Sequence, residues 1–154
     1  MNNKQFKVAV TRQLPEPVET RMKELFDVNL SNSPHPLTRE QLLEIVQDCD
    51  VLVPTIGDKI DGSFIKESGK KLKLIANYGV GFDHIDVLNA TKRGIKVTNT
   101  PNVLTEDTAD MAMALIISVP RRIKEGVKKL VDDEWDGWAP NALLGHRIYG
   151  KRLG

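Results

Sequence analysis

The residues best suited to chemistry lie in one short run, Asn77-Tyr78-Gly79-Val80-Gly81-Phe82. Its glycines leave main-chain N–H groups accessible. Asp83 follows as a helix N-cap candidate, with Asp86 in the first turn, where the helix dipole favours negative charge. Amides gathered ahead of a helix can form an anion nest that holds a carboxylate. The same residues also suit a plain turn between strand and helix, and the local pattern leaves both readings open. Gly79-Val80-Gly81 begins a G-x-G-x-x-G fingerprint, but His84 stands at the sixth position and the fingerprint fails. Gly145-His146-Arg147-Ile148-Tyr149-Gly150-Lys151 spells G-x-x-x-x-G-K. Arg152 follows where a phosphate loop needs Ser or Thr, so that motif fails too.

Other reactive side chains have plainer readings. His84 reads as a surface or capping histidine with no carboxylate relay. His35 sits in a Pro-flanked turn and His146 near the end, without metal-ligand spacing. Cys49 is alone, cannot form an internal disulfide, and reads as a small buried apolar residue, which suits a reducing cytoplasm. Trp135 and Trp138 read as packing residues of an arm. The basic run over 121–129 reads as a solvated helix face.

Composition narrows the class. The 154 residues carry 22 Lys plus Arg against 21 Asp plus Glu, a net charge of +1, which gives no general pull toward nucleic acid or anionic lipid. With 40% hydrophobic and 28% charged residues the chain is neither disordered nor fibrous. Its longest apolar run, Met111 to Ile117, falls well short of the ~20 residues of a membrane span. Met1 to Gln5 lack the apolar segment of a secretory signal.

The elements that must position the loop follow from pattern. Strands are expected at Phe6–Thr11, Phe26–Leu30, Asp50–Val53, Leu72–Ala76 and Ile95–Thr98. Between the first two, Val18, Met22, Leu25 and Phe26 form one apolar helical face. Thr38 and Gln41 form a capping box ahead of Leu42, Leu43, Ile45 and Val46. Asp61 caps a short helix carrying Phe64 and Ile65. Ile85 and Leu88 face inward on the next helix, which Gly94 ends. The alternation implies a five-stranded parallel α/β sheet, flavodoxin-like in size, with helices on both faces. Thr11-Arg12-Gln13-Leu14-Pro15 lacks the Ser/Thr-rich phosphate loop of a flavodoxin. Val53-Pro54-Thr55 lacks the Asp that closes the third strand of a phospho-acceptor receiver.

After Asn99-Thr100-Pro101 the pattern becomes helical. Thr105 is an N-cap candidate, Ala109 to Ile117 is apolar nearly all round and is expected to be deeply buried, and Pro120 is expected to split the helix. Val119, Ile123, Val127 and Leu130 continue one apolar face. The division expected is 1–100 as a flavodoxin-like substrate-binding domain and 101–154 as a hinge, long helix and dimerisation arm.

The runs Asn77 to Asp86 and Arg93 to Pro101 closely resemble the D-isomer-specific 2-hydroxyacid dehydrogenases. Val103-Leu104-Thr105, Thr108-Ala109-Asp110, Arg121-Arg122, Trp135 to Trp138 and Gly150 to Gly154 extend the resemblance in order, most of all to glyoxylate/hydroxypyruvate reductases. The resemblance implies a substrate domain paired with an NAD or NADP domain, acting on a small 2-oxo or 2-hydroxy acid. It places Asn77, Gly79, Val80 and Gly81 at the substrate carboxylate, Val80 also against the nicotinamide, and Thr108 at the cofactor. It places helix 105–118 and arm 132–150 in a dimer interface, so a homodimer, or one with an exchanged helix, is expected. The family's glycine fingerprint and its catalytic Arg, Glu and His fall beyond the match to Gly154. These 154 residues alone are therefore expected to be catalytically silent and to bind no cofactor. The alternative is a standalone carboxylate-binding or dimerisation module.

Overall fold

A computed structural model describes residues 6–154. The chain divides into two compact units, one ending at Val103 and one running Leu104–Gly154. In the first, β1 (Lys7–Val10), β2 (Asp27–Leu30), β3 (Val51–Val53), β4 (Leu74–Ala76) and β5 (Lys96–Thr98) form one sheet in the order β2-β1-β3-β4-β5. Every pairing is parallel. Helices α1 (Glu16–Leu25), α2 (Arg39–Val46), α3 (Gly62–Glu67) and α4 (Val87–Lys92) make the connections. This is the flavodoxin-like α/β architecture that the alternation of elements implies.

The registers Leu52↔Ile75 and Ile75↔Val97 put apolar residues side by side at the sheet centre. One core joins Leu52 and Ile75 to Val46, Ile60, Phe64 and Ala90, all inaccessible to solvent. A second gathers Val8, Val10, Leu14 and Val53 against Met22 and Phe26. Short polar contacts fix the helix starts. Thr38 Oγ1 accepts from the Gln41 amide at 3.3 Å while Gln41 Oε1 accepts from the Thr38 amide at 2.9 Å, the expected capping box. Asp61 accepts from the Phe64 amide at 2.9 Å and opens α3. Gly94, at φ +74°, ends α4 in the left-handed region. Cys49 is buried, and burial pushes its thiol up to about 11, as befits an inert core residue.

Several elements differ from expectation. The cap of α4 is Asp86, not Asp83: the Asp86 carboxylate accepts from the Asn89 amide at 3.0 Å. Ile60 donates to the His84 carbonyl and accepts from the Asp86 amide, both at 2.9 Å. That bridge at Ile85 follows a turn through Asp83 and His84 and delays the helix to Val87. Leu88 is then turned outward at 66% exposure, whereas Ile85 is buried. On α1, Val18 and Leu25 are exposed. The helix serves the β2 edge of the sheet, where Met22, and Phe26 just past the helix end, pack on the second core.

The second unit holds α5 (Thr105–Ser118) and α6 (Ile123–Val131). Pro120 falls in the break between them, and Arg122 at φ +56° turns the chain. Thr105 lies inside α5 rather than capping it, and Leu104 precedes it with no side-chain cap. The apolar stretch of α5 is not buried: Met111, Met113, Leu115 and Ile117 are all exposed, because no described element covers them. The expected face through Val119, Ile123, Val127 and Leu130 is likewise exposed. The His146 amide donates to the Pro120 carbonyl at 2.8 Å and ties the arm back to the helix break.

Truncation at the sheet centre is expected to be far costlier than on the outer face of α4. Ile75→Ala should lose about 2–5 kcal/mol of stability, and Leu88→Ala less than about 0.5 kcal/mol. Urea denaturation of the two variants checks both.

Candidate functional site

The loop at 77–82 leaves the carboxyl end of β4, next to the end of β3, where open α/β sheets take ligands. It is anchored at its entry. The Asn77 amide donates to the Thr98 carbonyl and the Tyr78 amide to the Pro54 carbonyl, both at 2.9 Å. Three successive carbonyls are then tied down. Gly79 O accepts from Asn77 Nδ2 at 3.1 Å and from the Thr100 amide at 3.1 Å. Val80 O accepts from Asn99 Nδ2 at 2.8 Å, and Gly81 O from Asn77 Nδ2 at 2.8 Å. The peptide unit is planar and trans, so each restrained carbonyl fixes the opposite direction of the next N–H. The amides of Val80, Gly81 and Phe82 have no acceptor among the described residues. All three residues are exposed. Unpaired amides on a restrained, exposed loop can receive a carboxylate.

Neither Gly79 nor Gly81 has positive φ, so the loop is not the alternating nest that two glycines suggest. Gly79 sits closely packed instead. A Cβ there would stand 3.1 Å from Ile56 Cγ2 and 3.5 Å from Asn77 Nδ2. The exposed side chains of Ile56, Tyr78, Val80 and Phe82 give the end of the sheet an apolar character.

Beside it lies a buried polar cluster. Asp58, 1% exposed, accepts from the Thr11 hydroxyl, the Thr55 amide at 2.7 Å and the Thr55 hydroxyl at 3.2 Å. Arg12 Nη2 stands 3.7 Å from its other oxygen. This cluster holds the Thr55–Gly57 turn, whose Ile56 faces Gly79.

Of the residues singled out in the sequence, Gly79, Val80 and Gly81 form the continuous stretch that offers amides. Asn77 lies beneath them at 2% exposure with its carboxamide engaged by the loop. Thr108 belongs to the second unit, where its hydroxyl donates to the Leu104 carbonyl at 2.9 Å. Sequence reasoning passed over Asn99 and Thr100 as site residues. Their signal was present, since both stand at the end of the neighbouring strand, but which carbonyl each reaches is a matter of sheet order. His84 is not a free surface histidine: its Nε2 lies 3.1 Å from Asn77 Oδ1. Among the described residues no His, Cys, Asp and Glu cluster could hold a metal ion, and no helix is long and apolar enough to cross a membrane.

A profile of the D-isomer specific 2-hydroxyacid dehydrogenase catalytic domain matches residues 8–144. The chain belongs to this family. It is 43% identical over 149 residues to a glyoxylate reductase of Korarchaeum cryptofilum, covering 96% of this chain and 45% of that protein. It is 45% identical over 152 residues to a glyoxylate reductase of Thermococcus litoralis, covering 96% of this chain and 46% of that one. The crystal structure of a Polaromonas protein described as an NAD-binding member of the family superposes with a TM-score of 0.86 at 32% identity, covering 96% of this chain and 46% of that one. The chain therefore spans less than half the length of the relatives it matches.

Burial holds the His84 imidazole below its ordinary value, opposed by the carboxylates of Asp58 and Asp83. A base whose folded value is depressed leaves the unfolded chain to bind the proton first as the pH falls. Its contribution to stability is therefore full above about pH 6.5 and lost as the pH drops toward the folded value. His84→Gln is expected to flatten the stability curve over the acid side of about pH 6.5, read by urea denaturation at a series of pH values.

Proposed function

We infer that this chain supplies the acid-recognising part of an NAD- or NADP-dependent oxidoreductase that interconverts a small 2-oxo acid and its 2-hydroxy acid, glyoxylate being the leading candidate. One observation carries the reading: the amides of Val80, Gly81 and Phe82 are unpaired while the carbonyls of Gly79, Val80 and Gly81 are all held. A substrate carboxylate seated on these amides would gain charge-assisted hydrogen bonds and a fixed orientation without reorganising the loop. Exposed Ile56, Tyr78, Val80 and Phe82 near the loop suit the exclusion of water from a short carbon chain.

The 154 residues contain no complete dinucleotide fingerprint, since His84 stands at the third glycine position. The nicotinamide group would supply or take the hydride, and this reading assigns cofactor contact to Val80 and Thr108. Thr108 can serve there as an acceptor, because its O–H is committed to Leu104. His84 Nε2 is engaged with Asn77 Oδ1 at 3.1 Å, so His84 is not assigned as the proton donor. The first unit thus acts as the substrate domain and the second as the entry to the cofactor domain.

Homodimerisation is the partner reading. Exposed Met111, Met113, Leu115 and Ile117 on α5, with Val127 and Leu130 on α6, form apolar surface of a kind that seldom stays bare. A second copy, by contact or by helix exchange, would cover it.

Titration of the 15N-labelled chain with glycolate is expected to move the amide signals of Val80, Gly81 and Phe82 before any others. A flat response at all three would remove the carboxylate reading. Mixed with glyoxylate and NADH or NADPH, the chain alone is expected to show only background oxidation. Sedimentation equilibrium is expected to give a dimer that Leu115→Glu converts to monomer, and a wild-type monomer at high concentration would remove the partner reading.

A further inference from the structure

We propose that His84 and Asn77 form a positioning latch that aims the loop amides: the imidazole fixes the Asn77 carboxamide, and the carboxamide fixes the carbonyls of Gly79 and Gly81. The proposal rests on the reading of the loop as a carboxylate site and names what holds that site in shape.

The argument is one of donor and acceptor accounting. Asn77 has two amide hydrogens and one carboxamide oxygen. Nδ2 makes contacts of 3.1 Å to Gly79 O and 2.8 Å to Gly81 O, which use both hydrogens. The reverse orientation would set Oδ1 against two carbonyl oxygens. Oδ1 therefore faces His84, and the ring nitrogen 3.1 Å away must be a donor. His84 is then protonated at Nε2, leaving Nδ1 outside the latch. Asn77 is buried and cannot exchange this partner for bulk water.

The effect on a ligand passes through the peptide planes. Holding Gly79 O fixes the Val80 N–H, and holding Gly81 O fixes the Phe82 N–H. Asn99 holds Val80 O independently, and Thr100 shares Gly79 O. Loss of His84 therefore loosens the loop without releasing it. A helix-capping role does not account for the ring, because Asp86 caps α4. His84 and Asn77 are positioning residues, acting on a bound acid only through the loop.

The test uses the 154-residue chain, 15N-labelled, with glycolate as the probe. Long-range 1H–15N spectra of the wild type are expected to show the Nε2–H tautomer of His84. The Asn77 side-chain NH2 signals are expected to exchange slowly. His84→Phe removes the donor. It is expected to weaken glycolate binding about two- to tenfold, the scale of one net hydrogen bond, and to shift the Asn77 NH2 signals. His84→Gln restores an N–H at the position of Nε2 and is expected to recover wild-type affinity to within about twofold. A merely structural histidine would not be rescued by Gln in this way. An Nδ1–H tautomer in the wild type would overturn the proposal without any variant. So would unchanged Asn77 signals in a folded His84→Phe chain, or unchanged glycolate affinity there. If the wild type ignores glycolate, the carboxylate reading fails. The tautomer, the Asn77 signals and the Val80 and Phe82 amide exchange rates then still decide whether the latch exists.

Discussion

One restraint underlies the rest of the site: the carbonyl oxygens of Gly79, Val80 and Gly81 are each claimed by a donor from the protein. A loop with free carbonyls could turn any peptide plane and offer oxygen where an anion needs N–H. Here the choice is made by Asn77 from below and by Asn99 and Thr100 from the adjoining strand end. The Val80, Gly81 and Phe82 amides are what remains. The cost of leaving them unpaired is tolerable because the three residues are exposed and water can reach them.

This arrangement needs the parallel sheet. β5 lies beside β4, so the residues that follow each strand emerge at the same end and can bond to one another. β3 lies on the other side and brings Pro54 and Ile56 to the loop, with Asp58 and Thr11 bracing that turn. Core residues Leu52, Ile75 and Phe64 hold the strand ends in place through close packing rather than by contact with any ligand. Family membership places this framework among the 2-hydroxyacid dehydrogenases.

Much of this was legible in the residues. The strand and helix alternation, the Thr38–Gln41 box, the Asp61 cap and the Gly94 stop depend on neighbours within a few positions, and each stands where its pattern puts it. Burial was less legible. Leu88 and the α5 apolar residues have the composition of a core but lie exposed. Composition states how strongly a side chain avoids water, not whether another element arrives to cover it.

The sequence by itself determined the sheet class and the starts of α2 and α3, set by Thr38 and Asp61. Those features are encoded locally, in periodicity and in contacts spanning three or four residues. Only the tertiary structure decided that Asn77 lies beneath the loop, that Asn99 reaches Val80 from the adjoining strand end, and that His84 faces a carboxamide. It also moved the α4 cap from Asp83 to Asp86, because Ile60 draws Ile85 into a bridge ahead of the helix. Hydrogen-bond partners separated by about twenty residues are chosen by strand order and register, and no local pattern contains that information.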